Sequence, residues 1–105
     1  GGVNIYPAEI EGVLGGHPLV ADVTVIGVPN EEFGEEVKAI VVANDGVEPD
    51  DELRSTLAAH CRDQLAGFKC PRSIDFSEAL PRTGTGKVQK RKLRDPYWEG
   101  RERHI

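Results

Sequence analysis

A small α+β domain, with a central sheet of about three strands flanked by helices, is the fold class the sequence predicts. Three observations carry it. Two β-branched runs, VADVTVIGV at 20–28 and VKAIVVA at 37–43, have the composition of strands. Apolar residues recur at helical spacing in two other segments, Ile10/Val13/Leu14 and Leu53/Leu57/Cys61. At 105 residues the chain can build one domain with a modest core, and it is short for an enzyme that must enclose both a nucleotide and a second substrate.

Taken in order, Pro7 opens a short amphipathic helix that Gly15-Gly16 and Pro18 stop. The two β-branched runs follow as an expected antiparallel pair joined by the acidic loop PNEEFGEE, and Asn44-Asp45-Gly46 closes the second. Pro49-Asp50-Asp51-Glu52 then starts the longest helix, with acids placed where the helix dipole favours them; its end falls near 65–67. A third strand is expected in Ser73-Ile74-Asp75-Phe76, then turn residues at Leu80-Pro81, a glycine loop, and a basic helical segment from Val88 to about Arg94.

Composition narrows the function. A hydrophobic share of 38% and a charged share of 30% fit a soluble globular protein, expected in the cytoplasm, and no apolar run reaches the roughly 20 residues of a membrane span. The chain opens on Gly1-Gly2 with neither an initiator Met nor a signal-peptide pattern, and it is expected to be part of something longer. Cys61 and Cys70 are expected to be reduced thiols, and His17, His60 and His104 are scattered residues of surface or packing, so no metal site is expected. Charge is lopsided: residues 1–81 hold 5 Lys/Arg against 15 Asp/Glu, residues 82–105 hold 8 against 3. The acidic bulk would repel nucleic acid and acidic lipid, whereas a basic end of this size suits a small polyanion such as a nucleotide.

The most basic segment contains PRTGTGK, residues 81–87. It is not a phosphate-binding P-loop, because Pro81 stands where the first glycine belongs and Val88 where the hydroxyl belongs. Gly84 and Gly86 suit a turn with positive φ, and Lys87 beside them is either a solvated lysine at the start of a helix or an arm reaching a partner's anion. At about 4 Å and an effective dielectric of ~20, an ammonium and a phosphate oxygen attract by on the order of 4 kcal/mol, enough to alter a rate.

Four blocks in order, GGVNIYPAEIEGVL, VIGVPNEEFGE, GFKCPR and LPRTGTGKVQKRKLR, closely resemble the C-terminal domain of the adenylate-forming (AMP-binding) enzymes, from Gly1 to about Arg94. The family includes acyl-CoA synthetases, peptide-synthetase adenylation domains and luciferases; fatty-acyl-CoA ligases are the most similar. The resemblance implies that residues 1–105 form a swinging domain whose large N-terminal ATP- and acid-binding partner lies upstream. It implies activation of a carboxylic acid, a fatty acid foremost, with ATP and Mg2+ to an acyl-adenylate, then transfer to coenzyme A, with Mg2+ held mainly by the other domain. Lys87 would be the catalytic cation. Gly1 and Gly2 would border the pantetheine tunnel; Phe33, Phe68 and Arg72 would meet coenzyme A, although Cys70 stands where a basic residue is found in the family; Gly84 and Gly86 would shape the loop at the nucleotide. For Phe33, Phe68 and Arg72, packing or solvation remains the other reading, as helix-start charges does for Glu9 and Glu11. The resemblance also makes Lys87 a candidate for a lysine acetyltransferase, and implies that the chain alone is inactive. A carrier-protein-loading adenylation domain, or a non-catalytic module binding coenzyme A or a protein, are the alternatives.

Overall fold

Burial sorts the side chains of the β-branched runs onto two faces of one sheet. In the computed structural model, which describes residues 6–32 and 34–99, the elements are α1 (Pro7–Gly15), β1 (Val20–Asn30), β2 (Gly34–Ala43), α2 (Asp51–Gln64), a 3-10 turn (Gly67–Lys69), β3 (Ser73–Phe76) and α3 (Lys90–Trp98). The sheet runs in the order β1-β2-β3, with β1 and β2 antiparallel and β3 parallel to β2. A three-stranded α+β sheet is what the sequence predicts; the parallel third strand follows from the α2 crossover, since a parallel neighbour needs a long connection.

One face is apolar. Ile10 and Leu14 of α1, Leu53, Leu57 and Cys61 of α2, and Val20, Val25, Ala39, Val41 and Ile74 of the sheet form a single buried cluster. Helix α2 starts where the sequence places it because Asp50 accepts the Leu53 N–H at 2.9 Å, a side-chain N-cap. Burial pushes the Cys61 thiol up to about 11, and both cysteines are free. His17 and His60, far apart in sequence, meet edge to face with ring centroids 4.8 Å apart. They are packing residues where α1 meets α2: His17 Nδ1 accepts the Leu19 N–H, and His60 Nε2 lies 3.2 Å from the Val13 carbonyl.

The other face is thinner. Ile26, Val28, Ile40 and Leu80 are buried there, covered by Val88 and by Leu93 and Tyr97 of α3. Polar ties supplement this packing: the Tyr97 hydroxyl donates to Asp75 at 2.5 Å, the Lys38 ammonium lies 3.0 Å from the same carboxylate, and Trp98 Nε1 donates to the Gly27 carbonyl at 3.0 Å. Burial raises the Asp75 pKa, but the Tyr97 hydroxyl and Lys38 outweigh it and hold the carboxyl below its ordinary range.

Two regions differ from expectation. The hairpin strands extend to Asn30 and back to Gly34, so most of the acidic loop is ladder, with Pro29 opposite Glu35; β1 is an edge strand, where a missing N–H costs no pairing. The last helix begins at Lys90 rather than Val88 and runs through Pro96 to Trp98 rather than ending near Arg94. Its start is delayed because Val88 bridges to Arg82 and the Gln89 N–H donates to the Pro81 carbonyl. Its end is carried past the proline because Tyr97 and Trp98 are both fastened to the sheet.

Candidate functional site

The glycine segment folds as a short hairpin. The Gln89 N–H reaches the Pro81 carbonyl at 2.8 Å, the Thr83 N–H reaches the Lys87 carbonyl at 2.8 Å, and the Gly86 N–H closes a turn onto Thr83 at 2.9 Å. Gly86 takes φ of +91°, a conformation that disfavours any side chain, so the glycine there is a geometric requirement. The hydroxyls of Thr83 and Thr85 lie 2.9 Å apart, and Thr83 Oγ1 also accepts the Lys87 N–H. Lys87 therefore projects from a braced hairpin, not from a helix start, and the loop is less free than two glycines suggest.

Around it the cations are already engaged. Arg82 donates to the Gly86 carbonyl and to Asp22 on β1, both at 2.6 Å. Lys90 lies 3.1 Å from Glu11, whose same oxygen accepts the Val25 N–H at 2.8 Å and the Thr24 hydroxyl at 3.2 Å. Glu11 is thus a structural acceptor joining α1, β1 and α3, beyond any effect on the helix start. Lys87 is the exception: it is exposed, and its ammonium forms no hydrogen bond or ion pair with any described residue. It shares a shallow groove with Glu11, Val23, Thr24, Arg82, Val88 and Lys90. Such a cation retains its full capacity for an incoming anion.

The other expected site residues lie elsewhere. Gly84 and Gly86 share the hairpin with Lys87, which meets the β1 edge through Asp22, whereas Arg72 leads into β3 at the opposite edge and Phe68 lies in the 3-10 turn, whose Lys69 pairs with Glu9 of α1. Phe68 is 63% exposed, which rules out core packing, and Lys69 stands 6.0 Å from its ring and 5.9 Å from that of Tyr6 while pairing with Glu9. Arg72 is exposed, its N–H held by the Val37 carbonyl, and Cys70 is half-buried. Gly1, Gly2 and Phe33 lie outside the described residues. Among the described residues no group of three or more His, Cys, Asp or Glu gathers as a metal site, and no helix is long and apolar enough to cross a membrane.

Residues 9–87 match the family described as the AMP-binding enzyme C-terminal domain, and the chain belongs to that family. Among its relatives, a fatty acid–[acyl-carrier-protein] ligase of Streptomyces coeruleorubidus is 44% identical over 104 residues, covering 99% of this chain and 20% of that protein. A long-chain-fatty-acid–CoA ligase of Mycobacterium tuberculosis is 44% identical over 97 residues, covering 92% of this chain and 18% of that protein. The crystal structure of ATP-bound MatB from Rhodopseudomonas palustris superposes with a TM-score of 0.83 at 41% identity, covering 94% of this chain and 19% of that one. The chain thus spans about a fifth of the length of the proteins it matches.

Proposed function

We propose that this chain is the C-terminal domain of an acyl-CoA ligase, which activates a carboxylic acid, a fatty acid by preference, with ATP and Mg2+ and passes the acyl group to coenzyme A. Lys87 is the catalytic cation of the first step. A carboxylate oxygen attacks the α-phosphorus, the bond to pyrophosphate breaks, and the acyl-adenylate forms. Two anions must approach each other for this, and a cation between them offsets their repulsion as charge builds. The observation that carries the reading is the uncommitted ammonium of Lys87 between two neighbouring cations that are already paired. The N-terminal domain supplies the ATP, acid and Mg2+ sites, and the domain works in the cytoplasm.

Phe68 and Arg72, away from the glycine hairpin, suit the second step, in which coenzyme A is the acceptor, and the resemblance assigns Gly1, Gly2 and Phe33 to the same step. Two separate surfaces serving two reactions would require the domain to turn between them. Acetylation of Lys87 by a lysine acetyltransferase would remove the charge and stop the first step alone. A carrier-protein acceptor is the second reading, favoured by the Streptomyces relative, which is named for transfer to acyl carrier protein.

The test uses the full-length synthetase that carries this domain. Lys87→Ala should slow acyl-adenylate formation by about 10²- to 10³-fold, as loss of one transition-state donor does. Thioester formation from supplied acyl-adenylate should be largely kept, and comparing coenzyme A with acyl carrier protein as acceptor decides between the two readings. Equal loss in both half-reactions would remove the role assigned to Lys87.

A further inference from the structure

We propose that Arg82 and Asp22 are a positioning pair for Lys87, transmitting the rigidity of the sheet to the hairpin that aims its ammonium. The inference rests on the catalytic reading of Lys87 and adds two residues to it. The hairpin needs such a device. Its backbone makes one bridge, Arg82 to Val88, and its tip holds two glycines, whose ordering costs more conformational entropy than that of any other residue.

The Arg82 guanidinium folds back on its own turn. One nitrogen, Nη1, donates at 2.6 Å to the Gly86 carbonyl, which belongs to the peptide group joining Gly86 to Lys87. The other, Nη2, donates at 2.6 Å to Asp22 Oδ2. Asp22 is itself fixed: its Oδ1 accepts the Val23 N–H at 2.9 Å, and it stands where β1 shifts register against β2, between Val20 and Asp22. A continuous path therefore runs from strand β1 through a carboxylate and a planar guanidinium to the peptide bond that carries Lys87. Only arginine presents two donors in one rigid fork, so a lysine at 82 could not hold both acceptors in the same geometry.

Stability is a poor explanation for this pair. The side chains of Arg82 and Asp22 are 41% and 33% exposed, and ion pairs this open to water contribute little to folding. Aim is a better one, because a displacement of about 1 Å at a reacting group can cost a hundredfold in rate.

In the full-length synthetase, Arg82→Ala and Asp22→Ala should each lower kcat for acyl-adenylate formation about tenfold, with KM for ATP and for the acid within about twofold of wild type, since positioning acts on the reacting geometry. Thioester formation from supplied acyl-adenylate and the unfolding temperature should barely move. The double variant should be no slower than the slower single one, because both remove the same device. If Asp22→Ala does not fold, Asp22→Asn, which keeps an oxygen for the Val23 amide, should show a smaller loss in the same step. Wild-type rates for Asp22→Ala beside a slow Arg82→Ala would mean that Arg82 acts on the reactants itself and would overturn the pair, as would additive losses or equal losses in both half-reactions. Lys87→Ala is run alongside: if it leaves adenylation intact, the catalytic reading itself has failed, whereas a slow Lys87→Ala with fast Arg82 and Asp22 variants sinks only the positioning claim.

Discussion

The two faces of the sheet are built on different principles. On one, α1 and α2 cover a continuous apolar cluster in which Ile10, Leu14, Leu57 and Cys61 are no more than 1% exposed. On the other, a single nine-residue helix with no buried residue of its own is held by a few apolar contacts and by a tyrosine and a tryptophan making polar ones. Lys87 and its hairpin adjoin the second face, through Val88. Fold and function are thereby separated: non-directional burial supplies stability where nothing need be aimed, and directional hydrogen bonds supply geometry beside the proposed reactive group.

The largest break in that contrast should come from Leu57→Ala. It leaves a cavity between α2 and the sheet and should cost about 3 kcal/mol, lowering the unfolding midpoint of the chain by more than 10 °C at roughly 4–8 °C per kcal/mol. A midpoint within a few degrees of wild type would mean that the apolar face does not dominate. Tyr97→Phe should be milder, about 1 kcal/mol, because it deletes one hydrogen bond to a carboxylate and little packing. Its signature is in pH. Asp75 has its carboxyl below the ordinary range of the unfolded chain, so its contribution is present above about pH 4 and fades as the pH falls through the folded value; Tyr97→Phe should shrink that acid loss. An unchanged acid limb in denaturant titrations would remove Asp75–Tyr97 as a fastening of α3.

The smallest effect belongs to the histidine pair on the apolar face. Burial, and then the neighbouring His60, hold His17 below its ordinary 6.5, so the folded chain binds fewer protons than the unfolded one just below that pH. Stability should therefore be complete above about pH 6.5 and decline as the pH falls toward the folded value of His17. His60→Gln should flatten the decline, by a few tenths of a kcal/mol at most for a partly exposed pair. Calorimetry between pH 7 and 5 reads it, and a steeper slope in the variant would reverse the assignment.

The sequence makes the first face legible because its signals are local. Spacing places Ile10, Val13 and Leu14 on one side of α1, Asp50 announces α2, and β-branched runs mark β1 and β2. Lys87 is legible too, since glycines, threonines and a basic flank stand beside it in sequence. The parts that hold the hairpin are not. Arg82 and Asp22 are 60 positions apart, and nothing near Asp22 distinguishes it from other strand acids until β1 and the hairpin are brought together. Glu11 reads as a helix-start charge, yet its partners Val25 and Lys90 come from two other elements. Helix α3 is misjudged at both ends for the same reason: its start yields to a single bridge with Arg82, and its finish is decided by Asp75 and the Gly27 carbonyl.

Strand β1, at eleven residues, is a long border, and unpaired amides along such a border invite other polypeptides to add strands. Here several of the outward groups are occupied or missing. The Val23 N–H is taken by Asp22, the Val25 N–H by Glu11 and the Gly27 carbonyl by Trp98, while Pro29 has no N–H to offer. The longest strand of the sheet is thereby guarded against self-association, and Glu11 and Trp98 are guards that a search for catalytic residues would pass over.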